Sequence, residues 1–150
     1  MKLAFGCDHR GYKLKVDLIE KVKNELGYEC LDCGCDNEDA AHFPIYAFKV
    51  SEMVVKKEAD YGIVICGSGD GVCVASNKVR GVRCTLVIKK EDAIRAKAHI
   101  NANVLAIGSE KTNLDEALLI VKSLIETDYL EGRHQIRLDM IDEYEKEHFN

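Results

Sequence analysis

The sequence predicts a single α/β domain: a Rossmann-like, doubly wound, five-stranded parallel sheet with helices on both faces and an extended C-terminal helix. Short apolar segments alternate along the chain with longer segments of helical periodicity, which is typical of such sheets. Residues 61–66, YGIVIC, form an apolar run rich in β-branched residues without polar alternation, as expected for a strand buried on both faces. No linker, repeat or low-complexity segment divides residues 1–150, so we expect one domain.

Each element follows from a local pattern. Strands are predicted at residues 2–6, 28–33, 61–66, 82–88 and 103–107. Helices are predicted from the turn at 7–11 to about residue 26, from residue 44 to the charged residues that begin at 56, and at 72–78, 91–99 and 114–125. Leucine and valine recur at helical spacing in the first helix, Gly27 provides its stop, and Pro44 suits the first turn of the second. Connections of these lengths favour right-handed crossovers between parallel strands.

The C-terminal helix is predicted from about residue 132 to residue 147. It mixes Ile136, Leu138, Ile141 and Tyr144 with many charged residues. Such a helix either packs on a partner subunit or forms a solvated tail, and the pattern alone leaves both interpretations open.

The composition excludes several classes of protein. A hydrophobic content of 47% is enough for a core, and a net charge of −5 spread through the chain does not favour nucleic acid. The N-terminal MKLAFGCDH lacks the apolar region of a signal peptide, and no later run approaches membrane-spanning length. We therefore expect a soluble, cytoplasmic protein that binds neither nucleic acid nor membranes.

The seven cysteines indicate reduced thiols, because no signal peptide directs the chain to an oxidising compartment. Cys30, Cys33 and Cys35 are spaced closely enough to suggest a metal-binding cluster. However, side chains alternate between the two faces of a strand, so Cys30 and Cys33 should point to opposite sides of the sheet. No second cysteine–histidine pair at zinc spacing follows. We therefore predict small buried side chains here and no metal site.

A glycine-rich turn follows the predicted strand at 61–66. Cys66 ends the strand, and the turn consists of Gly67, Ser68, Gly69, Asp70 and Gly71. Backbone N–H groups in such a turn, at the start of a helix, can hold a phosphate or a developing oxyanion. The turn lacks the third glycine of the dinucleotide pattern, the Lys-Ser/Thr pair of a P-loop and the serine elbow of hydrolases. Cys66, a thiol beside an anion cradle, is the first candidate for the chemistry.

Other polar residues follow the ends of predicted elements. Asp8 and His9 follow the first strand, and His99 lies in the helix-end turn before the fifth. We expect them to meet Cys66 and Ser68 in the crevice at the carboxyl edge of the sheet. Each residue also has a structural interpretation without a function. Asp8 could be an ordinary turn residue, His99 a cation at a helix C-terminus, and Cys66 a buried core residue.

Basic residues open the last predicted helix. Arg133 and Arg137 lie one helical turn apart on one face, with His134 beside them. Two guanidinium groups so placed can bind a phosphate as a fork. A solvated basic turn is the alternative.

Four ordered segments resemble the ribose-5-phosphate isomerase type B family, which includes the galactose-6-phosphate isomerase subunits. They are GCDHRGYKLK (6–15), ICGSGDGVCVASNKVRGVR (65–83), HINANVLAIG (99–108) and EGRHQIRLDM (131–140). The similarity spans essentially the whole chain. It implies the doubly wound fold, aldose–ketose isomerisation without metal or cofactor, and homodimers or homotetramers with active sites between subunits.

The resemblance also implies roles for individual residues. Cys66 would be the base that moves a proton between C1 and C2 of a sugar phosphate through a cis-enediolate. Ser68 and the amides of residues 67–71 would hold the enediolate oxygen. His99, assisted by Asp8, would open the sugar ring. His9, Arg133 and Arg137 match phosphate-binding positions, and His134 lies beside them.

Several positions depart from the family pattern. Ile100 replaces an asparagine, Asp70 adds an anion to the glycine turn, and Glu110 replaces a phosphate-binding arginine. Ser68 stands at a threonine, and His42 and Phe43 replace an aspartate and a tyrosine. The resemblance makes ribose 5-phosphate the leading substrate, but lost polar contacts and added anions at these positions leave the substrate open. A hexose 6-phosphate, such as galactose or allose 6-phosphate, or another sugar is the alternative.

Two other classes stay open. A flavodoxin-like binding domain would hold a nucleotide or flavin phosphate on the glycine turn, although without tryptophan only Tyr and Phe could stack on its ring. A non-catalytic partner subunit or sugar-phosphate sensor would fit the changes at positions 100 and 110. The joint presence of Cys66, His99, Asp8 and Arg137 favours the enzyme.

Overall fold

The computed structural model describes residues 1–149 and contains a five-stranded sheet whose neighbouring strands pair in parallel. The strands are β1 (Lys2–Cys7), β2 (Glu29–Asp32), β3 (Tyr61–Cys66), β4 (Cys84–Leu86) and β5 (Val104–Gly108), and their order is β2-β1-β3-β5-β4. The helices are α1 (Tyr12–Lys21), which continues as a π-helical turn (Val22–Leu26), α2 (Phe43–Val55), α3 (Asp70–Ser76), α4 (Lys90–Ile100), α5 (Leu114–Glu126) and α6 (Arg133–His148). The predicted fold class, including the C-terminal helix, is confirmed.

Strand β3 lies at the centre of the sheet, between β1 and β5. Ile63 and Ile65 pack into one core with residues of α1, α4 and α5. Val64 and Cys66 pack into a second core with residues of α2 and α3, on the other face. Because both faces are covered, β3 is apolar at every position rather than at alternate ones.

The strand order reverses between β1 and β3. From β1 the chain crosses to β2 on one side, whereas from β3 it continues to β4 and β5 on the other. The turns that follow β1 and β3 therefore lead to opposite halves of the sheet and leave a crevice at its carboxyl edge. The Asp8 N–H donates to the carbonyl of Ile65 at 3.2 Å, so the two turns start side by side.

Some element boundaries differ from the predicted ones. Strand β4 covers only Cys84–Leu86, because it is an edge strand whose ladder with β5 pairs just these three residues. Helix α3 begins at Asp70, inside the glycine turn. Gly27 ends the first helix as predicted, in the left-handed conformation with φ at 72°, although the preceding turn is π-helical rather than α-helical.

The predicted separation of Cys30 and Cys33 across the sheet is confirmed. Cys30 packs against the core that contains α1 and α5, and Cys33 packs against the core that contains α2. Cys35 instead approaches Cys7, with 3.8 Å between the two sulfur atoms. Burial raises the pKa of the Cys7 thiol to about 12, so this thiol stays protonated at neutral pH.

A buried lysine anchors the loop between β2 and α2. The Lys15 side chain is fully buried, and its Nζ donates to Asp32 Oδ1 at 2.6 Å and to the carbonyl of Cys35 at 2.6 Å. The Gly34 N–H donates to the same Asp32 oxygen at 2.9 Å. These contacts fix the start of a loop whose far end brings His42 and Phe43 to the crevice.

Among residues 1–149, none of the helices is long and apolar enough to span a membrane.

Two glycines with similar backbone angles allow the close packing of the glycine turn to be tested. Gly69 has φ at 82°, and an added Cβ would lie 2.5 Å from Leu86 Cδ1 and 2.9 Å from the Gly108 nitrogen. Gly27 has φ at 72°, and an added Cβ would meet nothing within 4 Å. We predict that Gly27→Ala lowers the free energy of unfolding by about 1 kcal/mol, the cost of left-handed backbone alone. Gly69→Ala should lower it by roughly 3 kcal/mol, since a steric clash adds to that cost.

Urea denaturation of the two variants and the parent protein measures both values. Equal losses of stability in Gly27→Ala and Gly69→Ala would contradict the packing described for the glycine turn.

Candidate active site

A cavity of about 410 Å³ opens at the carboxyl edge of the sheet, between the turns that follow β1 and β3. Four segments line it: the turn after β1, the end of the loop before α2, the glycine turn, and the turn after β5. The lining residues are Asp8, His9, Arg10, Ala41, His42, Phe43, Cys66, Gly67, Ser68, Gly71 and Glu110. The structure thus brings Asp8, His9, Cys66 and Ser68 together as predicted.

Cys66 lies at the floor of this cavity as the last residue of β3, and it is 5% exposed. The Gly69 N–H donates to its Sγ at 3.2 Å. This contact depends on the left-handed conformation of Gly69, which turns the backbone back towards the strand end. The sulfur therefore has a backbone donor on one side and the cavity on the other, an arrangement that can hold negative charge on sulfur.

Ser68 contributes a hydroxyl to the same wall. Its Oγ accepts a hydrogen bond from the Asp70 N–H at 3.1 Å. Because this bond uses a lone pair of the oxygen, the hydroxyl hydrogen stays free to point at a ligand. The ring of Phe43 lies against Gly71, where an added Cβ would meet ring atoms at 2.9 Å, so Phe43 closes the neighbouring side of the cavity.

Asp8 serves both the turn and the cavity. It is 7% exposed, and its Oδ1 accepts from the N–H groups of Arg10 at 3.0 Å and Gly11 at 3.1 Å. This oxygen makes Asp8 an ordinary turn residue, the alternative stated above. Its second oxygen takes no part in the turn and is available to a ligand.

The loop before α2 orients His9. The Ala41 N–H lies 3.2 Å from His9 Nδ1 and donates to it when the neutral ring carries its proton on Nε2. The Ala41 carbonyl lies 3.3 Å from the same nitrogen and accepts from it when the proton is on Nδ1. In the first tautomer, His9 Nε2 can donate to an anion.

Asp70 and Gly69 do not line the cavity, although both were predicted to bind substrate. The Asp70 carboxylate lies 3.7 Å from Lys111 Nζ and is largely exposed. Gly69 acts indirectly, through the hydrogen bond that its amide donates to Cys66. The anion that Asp70 adds to the sequence of the glycine turn therefore faces Lys111 and not the cavity.

The prediction that His99 shares an edge with Cys66 is wrong within a single chain. A helix that connects two parallel strands runs antiparallel to them, so α4 starts at the carboxyl edge and ends at the amino edge. His99 lies in the last turn of α4, is exposed, and stacks on His134 with 4.5 Å between ring centroids. The Leu130 N–H donates to the carbonyl of Ala98 at 3.0 Å and ties the start of α6 to this end of α4.

His99, Arg133, His134 and Arg137 thus form a second site, which we call the histidine–arginine cluster. His134 is half-buried there. Desolvation and then the charges of His99, Arg133 and Arg137 lower its pKa below the usual range for histidine. In one chain, the cluster and the cavity lie at opposite edges of the sheet.

Sequence reasoning missed Arg10 and Ala41 as lining residues. Arg10 directly follows Asp8 and His9 in the turn after β1, so its position in the sequence was a usable signal. Ala41 acts through its backbone, and nothing in its side chain indicates that role. Glu110 and Phe43, two of the departures from the family pattern, both line the cavity.

A doubly wound α/β domain with a thiol, a carboxylate, an imidazole and a glycine turn at its switch point defines a class of small-molecule enzyme. The model of the family described as Ribose/Galactose Isomerase matches residues 3–141. Ribose-5-phosphate isomerase B of Escherichia coli K12 is 38% identical over 140 residues, 93% of each chain. That of Mycobacterium tuberculosis H37Rv is 38% identical over 150 residues, 99% of this chain and 92% of its own.

Solved structures agree with these sequence matches. Ribose-5-phosphate isomerase B of Clostridium thermocellum superposes with a TM-score of 0.94 at 39% identity, covering 98% of this chain and 99% of its own. The Mycoplasma genitalium enzyme with bound ribulose-5-phosphate gives 0.92 at 39% identity and 97% coverage of both chains. The chain belongs to the ribose/galactose isomerase family, and the predicted enzyme class, an aldose–ketose isomerase, is confirmed.

The histidine–arginine cluster gives a testable pH dependence. We predict that His99→Gln raises the pKa of His134 towards the usual histidine range, because it removes a stacked ring and a nearby positive charge. NMR titration of the histidine ring protons measures the change. His148→Gln is the matched control, since it removes an exposed histidine from the far end of α6 and should leave the titration of His134 unchanged. A His134 midpoint that is the same in His99→Gln and the parent would contradict this account.

Proposed function

We propose that this protein interconverts the aldose and ketose forms of a sugar phosphate, with ribose 5-phosphate as the leading substrate. The observation that carries the proposal is the position of Cys66, whose sulfur accepts from the Gly69 amide and which lines the cavity together with Asp8 and Ser68. The names of its relatives and the ribulose-5-phosphate bound to one structural neighbour support the same substrate class.

The proposed reaction is a proton transfer between adjacent carbons. Cys66, as the thiolate, takes the proton from C2 of the open-chain aldose and leaves a cis-enediolate. The Cys66 thiol, whose proton can exchange with solvent, then donates a proton to C1 while a proton moves from O2 to O1, so that the ketose forms without net loss or gain of atoms. The free hydrogen of Ser68 and the amides of the glycine turn would stabilise the enediolate oxygen, where negative charge develops. These steps are acid–base chemistry and call on neither metal nor cofactor.

We further propose that the site is completed by a second copy of the chain. The cavity and the histidine–arginine cluster occupy opposite edges of one chain, so a two-fold pairing would place the cluster of each copy at the cavity of the other. His99 would then open the sugar ring with Asp8, and Arg133, Arg137 and His134 would join His9 at the phosphate. Exposed apolar side chains on α6 support this pairing, namely Ile136, Met140, Ile141 and Tyr144. A homodimer is the smallest assembly that satisfies it, and a homotetramer contains the same pair.

A hexose 6-phosphate is the second candidate substrate. His42 lines the cavity, and together with Pro44 and Ile45 it resembles one galactose-6-phosphate isomerase subunit. A test of the function therefore needs both a pentose 5-phosphate and hexose 6-phosphates as substrates.

We predict that the protein isomerises ribose 5-phosphate and that Cys66→Ala reduces kcat by at least ~100-fold, because the reaction loses its base. Incubation with ribose 5-phosphate, allose 6-phosphate and galactose 6-phosphate in D₂O, followed by NMR, detects both ketose formation and deuterium at C2. Cys73→Ala is the matched control, since Cys73 lies on α3 outside the cavity lining. Full activity in Cys66→Ala would exclude the cysteine base, and no turnover of any of the three sugars would exclude the proposed substrates.

Mixed assemblies test the shared site. Cys66→Ala and His99→Asn should each be nearly inactive alone, because one removes the base and the other the ring-opening residue. When the two variants are co-expressed, a mixed pair contains one site with both substitutions and one with neither. We therefore predict recovery of roughly a quarter of parent activity.

The control for this recovery uses two residues from the same edge. Cys66→Ala co-expressed with Asp8→Asn should stay inactive, because Cys66 and Asp8 line the same cavity and every mixed site carries one of the substitutions. Recovery in this control, or none with His99→Asn, would contradict a site built from two copies.

A further inference from the structure

Arg10 and Glu110 form an ion pair at the cavity that the proposed mechanism does not use. Arg10 Nη1 lies 3.2 Å from Glu110 Oε1, and both residues line the cavity. Within the described lining, Arg10 is the one arginine or lysine, and His9 is its neighbour in the turn after β1. The nearest lysine along the chain from Glu110, Lys111, faces Asp70 instead.

The backbone around this pair is held on both sides. Asp8 Oδ1 accepts from the Arg10 N–H at 3.0 Å, and the Ser109 hydroxyl donates to the Arg10 carbonyl at 3.0 Å. The Glu110 N–H donates to the carbonyl of Gly67 at 3.0 Å. The turns after β1, β3 and β5 therefore fix where the two charged side chains start.

The absence of a side chain at Gly67 lets Arg10 and Glu110 pack against the glycine turn. A Cβ on Gly67 would lie 2.9 Å from Arg10 Cδ, 3.3 Å from Arg10 Nη1 and 3.0 Å from Glu110 Oε1. The pair thus occupies the space that a side chain at position 67 would take, directly after Cys66. An anionic group of a ligand that reaches this turn would meet the Arg10 guanidinium.

The pair is also easy to open. The side chains of Arg10 and Glu110 are 63% and 60% exposed, and ion pairs as exposed as this contribute little to stability. A phosphate offers more charge than a carboxylate and matches the planar fork of a guanidinium. Exchange of Glu110 for a phosphate on Arg10 would therefore be favourable.

We propose that Arg10 binds the phosphate of the substrate, and that Glu110 occupies Arg10 in the free enzyme and so sets the affinity for the phosphate. This inference rests on the proposed function, since it names a phosphate-binding residue for that same cavity. Position 110 carries a carboxylate in this chain instead of the family's arginine. The proposal explains how the cavity still has a guanidinium group, because Arg10 supplies one from the turn after β1.

Three variants test the exchange through the KM for ribose 5-phosphate. Arg10→Gln should raise KM by ~10- to 100-fold with little change in kcat, as expected for loss of a charge-assisted contact remote from the reacting carbons. Glu110→Gln should lower KM by roughly 3-fold, because Arg10 is freed. In the double variant Arg10→Gln/Glu110→Gln, KM should stay as high as in Arg10→Gln, because Glu110 acts only through Arg10.

A matched control removes a positive charge from the same segment. Lys13 is exposed, lies outside the cavity lining, and its substitution Lys13→Gln should leave KM unchanged. Partial recovery in Arg10→Lys would show that charge at this position matters. An unchanged KM in Arg10→Gln, or a lower KM for Glu110→Gln even without Arg10, would overturn the proposal.

Calorimetric binding of ribose 5-phosphate and of unphosphorylated ribose separates this proposal from the proposed function. We expect Arg10→Gln to weaken binding of ribose 5-phosphate and to leave that of ribose unchanged. If the parent protein binds ribose 5-phosphate through Arg10 but does not isomerise it, the proposed function fails and the role of Arg10 stands. If the parent binds and isomerises it, and Arg10→Gln binds it equally well, only the role of Arg10 fails. If the parent does not bind ribose 5-phosphate, both fail.

Discussion

The site depends on the close approach of the glycine turn to the end of β5. A Cβ on Gly108 would lie 2.5 Å from the Ser68 carbonyl oxygen, and the Ser109 N–H donates to the Cys66 carbonyl at 2.9 Å. Here backbone lies against backbone, so no change of side-chain rotamer could relieve a substituent. The path of the turn is therefore fixed by packing, and with it the direction of the Gly69 amide that meets the Cys66 sulfur. The hydrogen bond to the Cys66 thiol is therefore set by the local backbone and not by another side chain.

A second constraint comes from topology. Each helix that links two parallel strands returns the chain to the amino edge, so a residue at the end of α4 is separated from Cys66 by the length of β5, five residues or about 16 Å. No local movement of His99 spans that distance. The proposed joint action of His99 and Cys66 would therefore require a second chain, and association would be part of catalysis. In the proposed pairing, the apolar residues of α6 would pack two copies together while its first turn would present the arginines.

Much of the fold could be predicted because strong local patterns agree with the tertiary structure. The uninterrupted apolar run of β3 follows from burial on both faces, and Gly27 and Pro44 mark the end of one helix and the start of another. The extent of β4 could not be predicted, because the number of residues that pair with β5 sets it. The prediction for His99 is wrong for a different reason: a residue just before β5 in the sequence lies at the amino edge of the sheet, because α4 ends there. Arg10 could have been found as a lining residue from its place after His9, but its ion pair with Glu110, one hundred positions away in the chain, could not be predicted.

The two acidic departures in the sequence have different consequences once their partners are known. Asp70 faces Lys111 outside the cavity, whereas Glu110 faces Arg10 inside it. Each added anion therefore has a cation beside it, and neither simply makes the cavity more negative. Because these charges are exposed, solvent and salt screen their fields beyond roughly 8–10 Å, so their influence on a ligand is local. The affinity of the cavity for a phosphate then depends on which cation the phosphate can contact, and on the ion pair that this cation must break to bind it. Within one chain, the cation that we propose for this role is Arg10, which must release the carboxylate of Glu110, whereas Arg133 and Arg137 would reach the phosphate only from a second copy.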